Sequence, residues 1–299
     1  MAAPDAIAAH ALSKRYGQQY ALKDLELVVP QGEVLGYLGP NGSGKTTTIR
    51  LLLGLIGPSS GSASIFGLDV RRQAPQVHKR LAHVAGEANL WPSLTGHDTL
   101  KLLGRVHGYL DKAYQKELIE RFDFDPSKRV RSYSKGNRQK VCLIAALSTR
   151  ADLLLLDEPT AGLDPLMEQT FRDCVAQARR RGQTVFLSSH ILSEVEALCD
   201  RVAILRAGEL LEIGTVADMR HLSAFSIDAR FGGEPPDVSG LPGVSAVRVE
   251  GQRLQCEVNG SVEPLMQALA AAGVQELLST KPSLEELFLS HYAAKDQAA

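Results

Sequence analysis

Apolar residues along this chain fall into short continuous runs separated by longer stretches in which they recur every three or four positions. The short runs, at 7–12, 25–29, 34–38, 63–66, 153–156, 184–187 and 202–205, predict strands. The helical period predicts helices over 46–53, 95–107, 112–122, 138–147, 166–180 and 192–198. Strands alternating with helices favour a mostly parallel α/β sheet, because a parallel crossover needs a connection long enough to hold a helix. The stretch at about 94–150 breaks the alternation with successive helical patterns and no convincing strand, and reads as a helical insert.

After Gly214 the texture changes. Phe231-Gly232-Gly233-Glu234-Pro235-Pro236 and Leu241-Pro242-Gly243 cut the chain into short pieces. Strand-like stretches at 223–229, 245–249, 254–258 and 274–278, a helix over 262–272 and an amphipathic helix over 283–292 predict a small α+β unit. Two domains are therefore expected, 1–214 and 215–299.

Composition narrows the function classes. In 299 residues, 33 Lys and Arg against 34 Asp and Glu leave a net charge of -1, without the basic excess of a nucleic-acid binder or the acidic excess of a disordered chain. From Thr215 onward 6 basic residues face 11 acidic ones, so the first 214 residues carry +4. Cys142, Cys174, Cys199 and Cys256 show no CxxC spacing, so neither a zinc site nor a disulfide framework is expected. The first ten residues lack the basic and apolar regions of a signal peptide. No apolar run approaches the ~20 residues of a spanning helix, and the chain is not expected to cross a membrane itself.

The sharpest chemical signal is Gly39-Pro40-Asn41-Gly42-Ser43-Gly44-Lys45-Thr46, a GxxxxGK[ST] loop between a predicted strand and a predicted helix, with Thr47 following. Glycines let backbone N–H groups converge on phosphate oxygens, and the helix N-terminus favours negative charge there. Lys45 supplies a point charge, and the Thr46 hydroxyl is suited to Mg²⁺. The expected ligand is a nucleoside triphosphate with magnesium. Leu153-Leu154-Leu155-Leu156-Asp157-Glu158 has the form of a Walker B strand, with Asp157 holding the Mg²⁺ shell and Glu158 orienting or deprotonating the attacking water.

Tyr133-Ser134-Lys135-Gly136-Asn137-Arg138-Gln139 opens a helical pattern upstream of Asp157. Here the chain resembles the ATP-binding cassette family, whose signature LSGGQ occupies this place; Ser134 and Gly136 match, and the other three positions differ in the manner of bacterial type-2 exporters. Tyr16 resembles the aromatic that stacks on adenine. Ala161-Gly162-Leu163-Asp164-Pro165 resembles the loop that communicates between subunits. Ser188-Ser189-His190 resembles the segment whose switch histidine contacts the γ-phosphate. Where the family usually carries its Q-loop glutamine stands Gly86, followed by Glu87: either Glu87 substitutes, or the loop signals differently. Trp91 by the same resemblance lies near the surface that receives a transporter's coupling helix; packing into the core beside the helical insert is the other reading.

The resemblance implies a P-loop NTPase fold of the ABC ATPase type with a helical subdomain, followed by a small accessory α+β domain. It implies Lys45, Glu158 and His190 as catalytic residues, and ATP held by Tyr16, the loop from Gly39 to Thr47, and Ser134, Gly136 and Asp164. Mg²⁺ falls to Thr46 and Asp157. One phosphate loop and one signature per chain imply a head-to-tail pair with a second copy or a paralogue. The segments Leu90-Trp91-Pro92-Ser93-Leu94-Thr95-Gly96 and Pro282-Ser283-Leu284-Glu285-Glu286-Leu287-Phe288 resemble drug and antibiotic exporter ATPases of the daunorubicin-resistance type. The implied setting is the cytoplasmic face of the membrane, on a separate membrane-spanning permease, with no nucleic acid. The alternative is a soluble cassette ATPase acting on ribosomes or DNA; the acid-free basic run from Lys128 to Lys140 would suit it, but more simply borders the phosphate site or forms a solvated face.

Overall fold

The computed structural model describes residues 4–217, 225–258 and 260–280. Their contacts divide the chain into two units, Met1–Gly214 and Thr215–Ala299.

In the first unit a six-stranded sheet runs in the order β10-β9-β3-β8-β7-β6. Its strands are β3 (Val34–Leu38), β6 (Leu81–Val84), β7 (Leu153–Asp157), β8 (Thr184–Ser189), β9 (Arg201–Arg206) and β10 (Glu209–Thr215). β6, β7, β8, β3 and β9 are mutually parallel. Alternate side chains point to opposite faces, and both faces are covered, which is why β7 reads as an unbroken leucine run. Leu153 and Leu155 enter one core; Leu154 and Leu156 enter the other. All four are fully buried, each such leucine stabilising the fold by about 1.5–3 kcal/mol relative to exposure.

The first core lies against an antiparallel sheet, β2-β1-β4-β5, that the strand-helix alternation does not foretell. β1 (Ile7–Tyr16), β2 (Gln19–Val29), β4 (Ser60–Ile65) and β5 (Leu68–Asp69) build it. The predicted strands at 7–12, 25–29 and 63–66 are its members; their place in a second sheet is set by pairing over long distances in sequence. α1 (Lys45–Leu52) contributes Ile49, Leu51 and Leu52 to the same core, and α2 (Ala74–His78) adds Val77.

The second core lies under helices α3 (Gly96–His107), α4 (Lys112–Arg121) and α5 (Lys135–Ser148), together with α6 (Pro165–Arg180). Between α4 and α5 runs a single 3₁₀ turn, Val130–Ser132. Caps fix where these helices begin: Thr95, Asp111, Ser134 and Asp164 each accept a hydrogen bond from the backbone N–H three residues on. α7 (Leu192–Leu198) follows β8.

The second unit is a four-stranded antiparallel sheet, β12-β13-β11-β14, formed by β11 (Phe225–Phe231), β12 (Val244–Glu250), β13 (Arg253–Val258) and β14 (Val274–Thr280). Ile227, Ala229, Phe231, Leu254, Cys256 and Val258 form its core with Leu265 and Leu269 of α8 (Glu263–Ala271). The predicted helix over 283–292 and the Pro282–Phe288 segment lie outside the described residues. Among the described residues no helix is long and apolar enough to cross a membrane.

Candidate functional site

The site forms at the carboxyl ends of β3, β7 and β8, where a parallel α/β sheet leaves a crevice. β3 delivers the phosphate loop. Gly44 has φ of 109°, and a Cβ there would stand 2.5 Å from the Ala21 carbonyl oxygen, so only glycine fits. Gly44 is also the N-cap of α1 and supplies no capping side chain, leaving the first N–H groups of the helix open to an anion. Ser43 Oγ is buried in this loop without a partner. Lys45 is buried, its Nζ donating to the carbonyls of Gly39 at 2.6 Å and Pro40 at 3.2 Å, with Glu158 Oε1 at 3.4 Å.

The acids arrive on β7. Asp157 accepts from Thr46 Oγ1 at 3.0 Å through Oδ2 and from Ser188 Oγ at 2.5 Å through Oδ1. A threonine hydroxyl and a carboxylate oxygen in contact at the mouth of a phosphate loop, with the carboxylate's other oxygen already occupied, make a hard oxygen donor set that fits Mg²⁺. Glu158 has φ of 45°, in the left-handed region; its N–H donates to Ser188 O and Ser188 Oγ, each at 3.1 Å, which holds that strained conformation. Its second carboxylate oxygen lies 2.8 Å from Nδ1 of His190, just beyond β8.

Asn41, Thr46, Gly86, Glu87, Asp157 and Glu158 line one cleft. A family model described as ABC transporter matches residues 22–161. The daunorubicin resistance ATP-binding protein of Streptomyces coeruleorubidus is 35% identical over 310 residues, covering 99% of this chain and 98% of that one. The chain belongs to the ATP-binding proteins of ABC transporters. The bacitracin transport ATP-binding protein of Bacillus licheniformis is 39% identical over 204 residues, 67% of each chain. A solved ATP-binding subunit of an ABC transporter superposes with a TM-score of 0.67 at 31% identity, covering 72% of this chain and 91% of that one. The P-loop NTPase fold and the ATPase class are thereby established, and the matches favour the transporter over the ribosome or DNA alternative.

Lys135, from the segment that resembles the family signature, and Ala161, in the loop after Glu158, also line this cleft. Tyr16, Ser134, Gly136 and Asp164 do not line the cleft that holds Asp157 and Glu158. Ser134 Oγ and Asp164 Oδ1 are occupied as helix caps, accepting from Asn137 N at 3.2 Å and Met167 N at 3.0 Å. Gly136 packs so closely on the loop before α6 that a Cβ would lie 2.3 Å from the Gly162 carbonyl oxygen. Tyr16 is 52% exposed at the end of β1, with Lys14 Nζ over its ring at 5.1 Å from the centroid.

Gly86, at the Q-loop position, lies beside Asp157: a Cβ there would be 3.4 Å from the Asp157 carbonyl oxygen. Glu87 lines both the nucleotide cleft and a neighbouring apolar groove formed in part by Leu55, Leu90, Leu103, Val106 and Cys142. Trp91 is 48% exposed, so core packing beside the helical insert fails. Motif reading gives no role to three residues that the structure brings to the site. His83 lines both cleft and groove, and burial holds its imidazole below the usual range against the pull of the Asp157 charge. Gln139 of α5 donates to the Pro159 carbonyl at 3.1 Å, tying the signature helix to the loop after Glu158. Ser188 is visible in the sequence as a hydroxyl at the end of a predicted strand, but nothing there pairs it with Asp157.

Proposed function

We propose that the unit 1–214 binds Mg·ATP and, paired with a second copy or a paralogue, drives a separate membrane-spanning permease that exports a hydrophobic drug, antibiotic or lipid-like compound. The observation that carries this reading is the cluster around the phosphate loop, in which Lys45, Thr46, Asp157, Glu158 and His190 converge. In this reading the loop from Gly39 to Thr47 cradles the phosphates, and Lys45 exchanges its carbonyl partners for phosphate oxygens. Tyr16 stacks on the adenine. Ser134, Gly136 and Asp164 act on the nucleotide of the opposite copy, which fits their use as helix starts and loop contacts within their own chain.

Thr46 and Asp157 would hold Mg²⁺, which when bound neutralises charge on the phosphate oxygens. Glu158 takes the proton of the attacking water, and His190 fixes the Glu158 carboxylate and reaches the γ-phosphate. Catalysis is then mostly positioning and charge stabilisation. The apolar groove with Leu55 and Val106, 65% and 77% exposed, is the docking face for the permease, and the chain sits peripherally at the cytoplasmic face. The unit 215–299 is an accessory domain.

The test is affinity capture of the tagged Glu158→Gln chain from detergent-solubilised membranes in Mg·ATP. A polytopic membrane protein in near-equal amount supports the reading. Capture of ribosomal or DNA-bound partners, with no membrane protein, overturns it.

A further inference from the structure

Glu194 stands four residues beyond His190, on α7, and is buried. A carboxylate withdrawn from water needs compensating donors, and two hydroxyls supply them. Thr160 Oγ1 donates to Glu194 Oε1 at 2.6 Å, and Ser189 Oγ donates to Oε2 at 2.8 Å. These donors come from different strand ends. Thr160 lies two residues after Glu158 in the loop leaving β7, and Ser189 immediately precedes His190 at the end of β8. Ser189 Oγ also accepts from Ile191 N at 2.9 Å, closing the turn that presents His190.

The arrangement is unlike an ordinary helix start. Glu194 is the third residue of α7, from which a glutamate commonly reaches back to cap its own helix. Here the N-cap residue, Ile191, gives its N–H to Ser189, and both Glu194 oxygens are taken by side chains of the two loops that carry Glu158 and His190. We infer that Glu194 is a positioning residue for ATP hydrolysis: it staples the loop after β7 to the loop after β8 and thereby fixes the 2.8 Å approach of His190 to Glu158. The inference rests on the reading of Glu158 and His190 as the catalytic pair.

The experiment is steady-state Mg·ATP hydrolysis by the purified full chain, with ATP affinity and thermal melting measured alongside. It compares wild type with Glu194→Ala, Glu194→Gln, His190→Ala, the double variant His190→Ala/Glu194→Ala, and Glu158→Gln. Glu194→Ala is expected to lower kcat by about 30-fold or more with KM within about threefold, since a misplacement of about 1 Å can cost ~100-fold. Glu194→Gln keeps one acceptor and can reverse the bond to the other hydroxyl, so it should recover to within about fivefold of wild type. In the His190→Ala background, Glu194→Ala should cost no more than about a further threefold, because residues acting through one another are non-additive.

A folded Glu194→Ala chain with wild-type kcat overturns the inference. So does an equal loss in both backgrounds, or a folded Glu194→Gln chain as impaired as Glu194→Ala. Wild-type turnover by Glu158→Gln overturns the catalytic pair itself. An inactive Glu158→Gln beside an unimpaired Glu194→Ala overturns the positioning role alone.

Discussion

Nδ1 of His190 lies 2.8 Å from one oxygen of Glu158, while Lys45 Nζ lies 3.4 Å from the other. The two carboxylate oxygens thus have different partners, one from the end of β8 and one from the phosphate loop. A triphosphate entering the cradle competes for Lys45 and leaves His190 as the remaining orienting contact of Glu158.

Glu158→Gln removes the proposed base and keeps the shape. The variant should bind Mg·ATP with near wild-type affinity, lose hydrolysis by about 10²- to 10⁴-fold, and accumulate as a nucleotide-bound dimer. Turnover by single-cycle assay and mass by light scattering read the two effects. A variant that hydrolyses at the wild-type rate removes Glu158 from the chemistry.

Gly44→Ala should injure the cradle through its backbone. At φ of 109° and 2.5 Å from Ala21 O, an added methyl has no room. The expected cost is about 1–3 kcal/mol, seen as a lower melting temperature, with ATP binding weakened on the order of tenfold or more. Unchanged calorimetric binding and melting would show that the loop relaxes freely.

Gly136→Ala acts elsewhere. Its Cβ would meet the Gly162 carbonyl at 2.3 Å, forcing the start of α5 away from the loop that leads to Asp164. Binding of ATP by the single chain should stay within about twofold, while hydrolysis by the pair falls about tenfold, because in the proposed pair Gly136 serves the opposite copy's site. Equal losses in binding and hydrolysis would contradict that division.

Asp228 in the second unit is held down to a pKa of about 2, by hydrogen bonding to Arg253 first and Gln255 next. A depressed carboxylate stabilises the fold above its unfolded pKa near 3.8, and the contribution is lost as pH falls through about 2. Partial exposure to solvent limits it to about 1 kcal/mol. Asp228→Asn should therefore speed amide exchange in β11 and β13 of the full chain at neutral pH, and the difference from wild type should vanish toward pH 2. A difference that persists at low pH would mean the charge is not its source.

Much of this site is legible in the sequence. The strand, glycine loop and helix around Lys45 are contiguous, so their order in sequence is their order in space. The caps Ser134 and Asp164 were visible as residues but carried a nucleotide role by resemblance; within the chain their side chains are spent on α5 and α6. Trp91 is ambiguous in sequence because apolar bulk fits either a core or a docking face, and its exposure excludes the core. The antiparallel sheet was missed because strand runs at 7–12, 25–29 and 63–66 look the same whichever sheet they join.

The sequence by itself determined what is local: the phosphate loop and its helix, the Walker B strand buried on both faces, the helical period of the insert, and the break near Gly214. Tertiary structure alone decided which polar groups meet. Thr46 and Asp157 are 111 residues apart, and Thr160 and Glu194 are 34 apart. Such contacts leave no periodic trace, because one hydrogen bond between distant residues depends on how whole strands stack in the sheet, and only the closed core brings their ends together.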